Sequence, residues 1–543
     1  MNTERRRSSS CLTLASLICL CAGLAGTASA LAQERGGIDI ALSENPIVTA
    51  IGNVRTPADC TALLGLNLKD TAITAARIVP ASGQVPEYCQ VEGGVETVIL
   101  FEVAMPTSAW NGRFFYVGGG GYNGNIPNMT GALARGYAAT ATDTGHRGEH
   151  WDASALYNDP QAQLNYAHRG AHLVTEIAKQ VVTSYYEESS SKSYFLGCSN
   201  GGKMGLMAVQ RYPEDFDGVV IGGPVIDRTG LMIMFDWSQR ALLGAEIPPY
   251  KIPAMERATL QACDATDGLV DGVIGRPDLC EFDPAVLTCE GQDSAECLTA
   301  PQVDAWRKIL DGSRTSDGEA LYPGYFPGHE DDYPAYVTGL GVNHGYPSSN
   351  YMYMDNFMRY FVFGPNYDAV HDFDIDNDRG ALDRFVAEQD AVDPDLRDFE
   401  ARGGKLIIYN GWADHSTPPQ RAIDYYNAVR DVHGDDTDAF ARLFMVPGFH
   451  HCSGGPGPNI FGSNARPLVN LNDPDKDLMG AIANWVENGV APDRIIATKY
   501  EGDDVGQSIE RTRPLCPYPK NAEYAGSGSI DEAASFVCVD PGN

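Results

Sequence analysis

The chain has 543 residues, 43% of them from the set AVILMFWYC and 20% charged, with 58 Gly and 33 Pro. That composition excludes a collagen, a coiled coil and a wholly disordered chain, and the length is ample for a large core. With 39 basic and 72 acidic residues the formal net charge is -33, a surface that repels phosphate backbones and anionic lipid, so no nucleic acid is expected as a partner.

Arg5, Arg6 and Arg7 precede an apolar run from Cys11 to Leu24, and the small-residue sites Ala28-Ser29-Ala30 and Ala30-Leu31-Ala32 follow. A basic start, a short apolar stretch and an A-x-A site make a secretory signal peptide. We expect residues 1–32 to be removed, with cleavage after Ala32, and the mature protein to be secreted or periplasmic. The run is too short for a good membrane span, and no later stretch is long and apolar enough for one. Ten cysteines then remain: Cys60, Cys89, Cys198, Cys263, Cys280, Cys289, Cys297, Cys452, Cys516 and Cys538. An even number in an exported chain argues for disulfides. No C-x-x-C occurs, so a zinc ribbon or a thioredoxin-type site has no support.

From about residue 95 strand-like and helix-like stretches alternate. Arg113–Val117 reads as a buried strand running into Gly118–Gly121, and Tyr137–Thr142 as another. Gln163–Tyr186 reads as a helix with apolar positions at Leu173, Ile177 and Val181. Ser193–Leu196 is a short strand, Lys203–Arg211 a helix and Val219–Ile221 a strand. The pattern resumes at Lys405–Tyr409 and Arg442–Val446. Short apolar strands alternating with helices predict an α/β protein with a mostly parallel sheet covered on both faces. The stretch 236–385 differs: it is rich in Asp, Gly, Pro and Tyr and carries four cysteines. It reads as a lid domain inserted between 33–235 and 386–543 and folded over the sheet's C-terminal edge.

Gly197-Cys198-Ser199-Asn200-Gly201 fits G-x-S-x-G, with a strand before it and a helix after it. Only glycine leaves room on both sides of so tight a turn, which exposes the Ser199 hydroxyl and aims the Asn200 N–H at the reacting oxygen. The bland alternative is a turn whose Ser caps the helix. A Ser hydroxyl needs a base. In this architecture an acid and then a His follow, each just past a strand. Asp414 and His451 hold those positions, although Asp414 could cap the next turn, with His415 beside it, and His450 competes with His451. Cys198 precedes the Ser and Cys452 follows His451, so a Ser–His meeting would bring these two sulfurs close as well. A second oxyanion donor is expected from Gly118–Gly121, with Gly121 preferred and Gly120 in reserve.

Together these residues resemble the tannase and feruloyl esterase family of α/β-hydrolases. The likeness covers nearly all of the mature chain. It rests on Gly197–Gly202, Gly411-Trp-Ala-Asp414, Val446–Gly455 and the C-terminal Arg511–Pro519. It implies an α/β-hydrolase fold, a Ser199–His451–Asp414 triad, and a disulfide between the cysteines flanking Ser and His. That disulfide maps onto Cys198 and Cys452 and favours His451 over His450. It also implies the pairs Cys60–Cys89, Cys263–Cys280, Cys289–Cys297 and Cys516–Cys538. The insertion holds Asp264, Asp267 and Asp271 on a turn-rich loop. Hard oxygen donors on such a loop suit calcium, although the spacing is not that of an EF-hand. By the family likeness these three carboxylates and the carbonyls of Leu269 and Val273 would bind a structural calcium.

The expected activity is therefore that of a monomeric serine carboxylesterase acting on a small ester of an aromatic acid. Tyr322, Tyr325, Phe326, Trp412 and the stretch 351–363 are candidates for stacking surface, or else for lid core. A terephthalate monoester would need an Arg at its free carboxylate. Arg314 and Arg359 lie in the insertion, but neither matches the family's carboxylate-binding Arg. The rivals are a serine peptidase on the same sheet and a non-catalytic protein that binds an aromatic ligand or a glycan.

Overall fold

The structure is a computed structural model that describes residues 57–339, 347–463 and 468–541; the expected signal segment 1–32 lies outside the described residues. The main sheet has nine strands: β1 (Thr71–Val79), β2 (Tyr88–Val95), β3 (Ile99–Pro106), β4 (Arg113–Val117), β5 (Ala138–Thr142), β6 (Lys192–Cys198), β7 (Gly218–Gly222), β8 (Lys405–Gly411) and β9 (Ala441–Val446). Their order across the sheet is β1-β2-β3-β5-β4-β6-β7-β8-β9. From β5 onward all neighbours run parallel. The first three strands form an antiparallel wing.

Alternation along each central strand feeds two apolar layers, because successive side chains point to opposite faces. In β8, Leu406 and Ile408 enter one layer together with α1 (Gly170–Tyr186) and α2 (Asn200–Arg211). Ile407 and Tyr409 enter the other. Helix α3 (Arg228–Leu242) leaves the sheet for the insertion, α4 (Pro419–His433) packs on the first layer, and α5 (Leu478–Asn488) covers the second. This is the expected α/β-hydrolase arrangement, with the parallel strands buried on both sides. No helix among the described residues is long and apolar enough to cross a membrane.

Between β7 and β8 the chain is mostly helical and loop-rich, with two short strands, Ser313–Arg314 and Ala320–Tyr322. It has an apolar core of its own around Phe235, Trp306, Met354, Phe357 and Phe361, which Tyr122 and Tyr166 join from the sheet side. The limits read from composition, 235/236 and 385/386, both fall inside helices, α3 and Asp383–Gln389. Composition follows the surface, not the point where a helix begins.

The single helix expected over 163–186 is three pieces: an α-turn at Pro160–Leu164, a π-helical turn at Asn165–Arg169, and α1. The helix expected from Lys203 begins earlier, at Asn200, directly after the nucleophile candidate.

Candidate active site

Ser199 joins β6 to α2 at φ 61° and ψ -123°. Such a backbone costs a non-glycine residue about 1–3 kcal/mol and persists only where its surroundings enforce it. Here the enforcement is main chain: Ser199 N–H donates to the Gly222 carbonyl at 2.9 Å, and the Ser199 carbonyl accepts from Lys203 N–H at 3.1 Å and Val225 N–H at 3.2 Å. The motif glycines are needed because chain touches chain. A Cβ on Gly197 would lie 2.5 Å from the Gly201 oxygen, and one on Gly201 would lie 2.6 Å from the Gly119 oxygen.

Asp414 follows β8 and His451 follows β9. His451 Nδ1 lies 2.9 Å from Asp414 Oδ2 and 3.1 Å from Oδ1. The carboxylate is 1% exposed. Ser416 N–H and Thr417 N–H donate to Oδ1 at 2.9 and 2.8 Å, and the Thr417 hydroxyl donates to Oδ2 at 2.8 Å. Burial alone would raise this carboxyl, but the imidazole beside it and these N–H donors outweigh burial and hold it below the usual range. An ionised acceptor at Nδ1 keeps the proton on that nitrogen and leaves Nε2 free to accept one.

The competing histidines are engaged elsewhere. His450 Nε2 pairs with Asp331 Oδ1 at 3.1 Å, and His415 Nδ1 with Asp332 Oδ1 at 2.5 Å. Both partners come from the insertion. The Ser and His loops are clasped by Cys198–Cys452, with S–S 2.03 Å and Cα–Cα 5.9 Å. Gly223 closes the group: a Cβ there would sit 2.9 Å from Asp414 Oδ2 and 3.2 Å from His451 Nδ1. Sequence reasoning missed Gly223, although Gly222-Gly223 directly after a strand was the available signal.

The glycine loop after β4 lies against the same turn. Gly118 N–H donates to the Leu196 carbonyl at 2.8 Å, so it is already occupied. The Gly120 carbonyl accepts from Asn123 N–H at 2.8 Å. In a planar trans peptide this turns the Gly121 N–H to the opposite side. The Gly121 carbonyl accepts from the Tyr166 hydroxyl at 3.0 Å. Asn200 N–H opens helix α2, where the first N–H groups lack intrahelical acceptors. The Asn200 side chain is held from behind: its Oδ1 lies 3.0 Å from the Tyr166 hydroxyl and 2.7 Å from Arg228 Nη2. No motif pointed to Tyr166 or Arg228.

A family model described as "Tannase and feruloyl esterase" matches residues 82–539. The chain belongs to this family. It is 37% identical to an uncharacterised esterase of Xanthomonas campestris, over 91% of this chain and 94% of the relative. It is 32% identical to the mono(2-hydroxyethyl) terephthalate hydrolase of Piscinibacter sakaiensis, over 86% of this chain and 87% of the relative. The crystal structure of feruloyl esterase B from Aspergillus oryzae superposes with a TM-score of 0.80 at 28% identity, over 89% of this chain and all (100%) of that one. The protein is a carboxylic ester hydrolase.

In this tannase-family esterase the insertion reaches the histidine directly. The Tyr336 ring meets the His451 ring edge-on at 5.6 Å. Tyr353 packs against Gly121, and its hydroxyl lies 2.8 Å from His150 Nδ1. Of the aromatics considered for stacking, Tyr322 and Tyr325 are buried in the insertion's core, and Phe326 meets Trp412 edge-on at 5.3 Å. Arg359 is tied to Asp355 and the Pro365 carbonyl, and Arg314 to the Gly318 carbonyl.

All five cysteine pairs implied by the family likeness are joined: Cys60–Cys89, Cys198–Cys452, Cys263–Cys280, Cys289–Cys297 and Cys516–Cys538. The acidic loop 264–273 is wound by its own carboxylates. Asp264 accepts from Asp271 N–H and Gly272 N–H, and Asp267 from Leu269 N–H. Asp271 Oδ1 accepts from Val273 N–H, while Oδ2 receives Arg511 at 3.1 Å and Arg513 at 2.5 Å. Leu269 and Val273 line a cavity of about 150 Å³ beside Asp267 and Asp271. Burial, then the charges of Asp271 and Asp264, raise the Asp267 carboxyl. Hard oxygen donors of this kind suit a divalent cation such as calcium, while the charge of Asp271 is met by Arg511 and Arg513.

Proposed function

We propose that the protein is a serine carboxylesterase that cleaves esters of aromatic acids through an acyl-enzyme, with Ser199 as nucleophile, His451 as general base and acid, and Asp414 as its orienting carboxylate. The observation that carries this reading is the Asp414–His451 pair, clasped to the Ser199 turn by Cys198–Cys452. His451 Nε2 takes the Ser199 proton as Oγ attacks the ester carbonyl. The tetrahedral oxyanion is held by the N–H groups of Asn200 and Gly121. His451 then gives its proton to the leaving alcohol and next activates the water that releases the acid. Asp414 stays ionised and keeps the imidazole aligned throughout.

The relatives' names point to feruloyl esters and a terephthalate monoester as substrates. Arg359 is tied to Asp355 and the Pro365 carbonyl, whereas Arg314 is exposed with one long bond to the Gly318 carbonyl. A feruloyl- or galloyl-type ester needs no such cation and is the substrate class we propose. Purified enzyme should cleave methyl ferulate or methyl gallate faster than mono(2-hydroxyethyl) terephthalate. Ser199→Ala should abolish turnover and labelling by a phosphonate while still binding the aromatic acid. Hydrolysis of none of the three, with no label on Ser199, overturns the assignment.

Asp264, Asp267, Asp271 and the carbonyls of Leu269 and Val273 would hold a structural calcium. The ion would stiffen the insertion rather than take part in the chemistry. Chelation is expected to lower the melting temperature, and added calcium to restore it. An unchanged melting temperature, with no ion in a metal analysis, would remove the site. The basic and apolar start and five disulfides among the described residues support export into an oxidising compartment.

A further inference from the structure

We propose that Arg228 is a positioning residue for the oxyanion hole, pinning Asn200 from behind and keeping a permanent positive charge under the developing oxyanion. This rests on the reading of Asn200 N–H as an oxyanion donor. Arg228 is the first residue of α3 and is 2% exposed. Its Nη2 donates to Asn200 Oδ1 at 2.7 Å, and its guanidinium lies over the rings of Tyr122 and Tyr166 at 5.5 and 5.4 Å. Its Nε has no hydrogen-bond partner. Asp390, a nearby carboxylate, accepts Thr229 N–H at 3.0 Å and the Thr229 hydroxyl at 2.6 Å, while Asp227 caps α3. Among the described residues the guanidinium has no ion-pair partner.

A buried cation without a counter-ion is a cost to folding, and simple packing would be served better by an apolar residue. A second buried cation adds to that cost. Lys203 on α2 is 0% exposed, with Nζ 4.5 Å from the centre of the Tyr166 ring and 3.4 Å from Gln389 Oε1. Burial, and then the charge of Arg228, push the Lys203 ammonium well below its usual range. A guanidinium does not give up its proton. Arg228 is thus the fixed charge, and it sits behind Asn200, whose N–H would face the oxyanion. Fixed dipoles and charges in a dry site gain most when the charge develops, because nothing has to reorient. Tyr166 completes the frame. From the π-helical turn 165–169 its hydroxyl lies 3.0 Å from both Asn200 Oδ1 and the Gly121 carbonyl and donates its one proton to one of them at a time, so one side chain touches both residues that carry the donors. Single π-turns inside α-helices are frequent at such sites.

The test uses the purified full-length enzyme and p-nitrophenyl acetate. Arg228→Met should lower kcat by about 30- to 100-fold with KM within about threefold, somewhat less than deletion of a direct oxyanion donor. It should weaken an aryl trifluoromethyl ketone, which forms the same oxyanion, by the same factor, while ferulate binding stays unchanged. Arg228→Lys should recover part of both losses. Asn200→Ala keeps its N–H and the Arg228 charge and removes only the pin, so it should cost less than Arg228→Met and add little to it in the double variant. Wild-type kcat in Arg228→Met, a fall in kcat without the matching loss of ketone affinity, or independent effects in the double variant would each overturn the role of Arg228. Activity surviving in Ser199→Ala would instead overturn the nucleophile reading beneath it. Should Arg228→Met fail to fold, Arg228→Lys makes the test alone: equal partial losses in kcat and in ketone affinity are expected, and wild-type values of both would overturn the role.

Discussion

Around Ser199 the floor is made of strand ends that touch glycine against glycine, whereas the roof reaches the site through rings and ion pairs. In the floor, Gly118, Gly197 and Gly201 bring three segments so close that a single Cβ on any of them would meet backbone atoms. In the roof, Tyr336 touches His451, Asp331 pairs with His450, and Asp332 pairs with His415. The first kind of contact admits no adjustment. The second can be exchanged residue by residue or switched by a proton. The difference is one of tolerance: the floor admits almost no substitution, whereas the roof can vary without moving the floor.

The comparison is broken most directly at the base. Asp414→Asn keeps an acceptor for Ser416 and Thr417 but lets the imidazole take the wrong tautomer, so kcat should fall by about 10⁴-fold with the fold intact by circular dichroism. Next comes the clasp. Cys198→Ala with Cys452→Ala opens a cross-link spanning 254 residues, and urea unfolding should show a loss of about 5 kcal/mol on the chain-entropy account. In the floor, Gly201→Ala forces its neighbour Gly119 to move, and a displacement of that size should lower kcat by about 10²-fold.

The smallest effect lies in the roof and depends on pH. Burial would lower His450, but the pairing with Asp331 and the charges of Asp332, Asp331 and Asp414 outweigh it, and its folded pKa is raised. A raised His pKa gives stability that is complete below the unfolded value and lost as pH rises through the folded one. His450→Asn should therefore cost about 1 kcal/mol near pH 6 and almost nothing near pH 9, read as the gap in melting temperature from wild type. An equal gap at both pH values would mean that the roof is held as rigidly as the floor.

The floor was legible in the sequence because it is local. Runs such as Arg113–Val117 and Val219–Ile221 announce buried strands, and the glycines around Ser199 have no other use in so tight a turn. Asp414 and His451 were legible by their place after strands, and Cys452 beside His451 favoured it over its neighbour; what only the structure supplies is the partner of His450, Asp331. The antiparallel wing was missed because its first strand, Thr71–Val79, is Ala-rich and only part-buried, and so lacks the apolar run that marks the central strands. The π-turn at 165–169 was missed because the apolar positions Leu173, Ile177 and Val181 set the period of α1 alone and carry no record of a wider turn before it. The roof was almost illegible. Asp331, Asp332 and Tyr336 meet their partners across 80 residues or more of intervening chain, and no local pattern encodes that.

The clasp also sets an order of events as the chain is made. Cys198 emerges 254 residues ahead of Cys452. Between them come Cys263, Cys280, Cys289 and Cys297, whose own bridges span only 17 and 8 residues. Short loops close first, so those four thiols can pair with one another while Cys198 still waits with a free sulfur. The thiol beside Ser199 is thus the one longest exposed to a wrong partner. A host that oxidises nascent chains quickly without reshuffling them should accumulate well-stapled insertions on inactive enzyme.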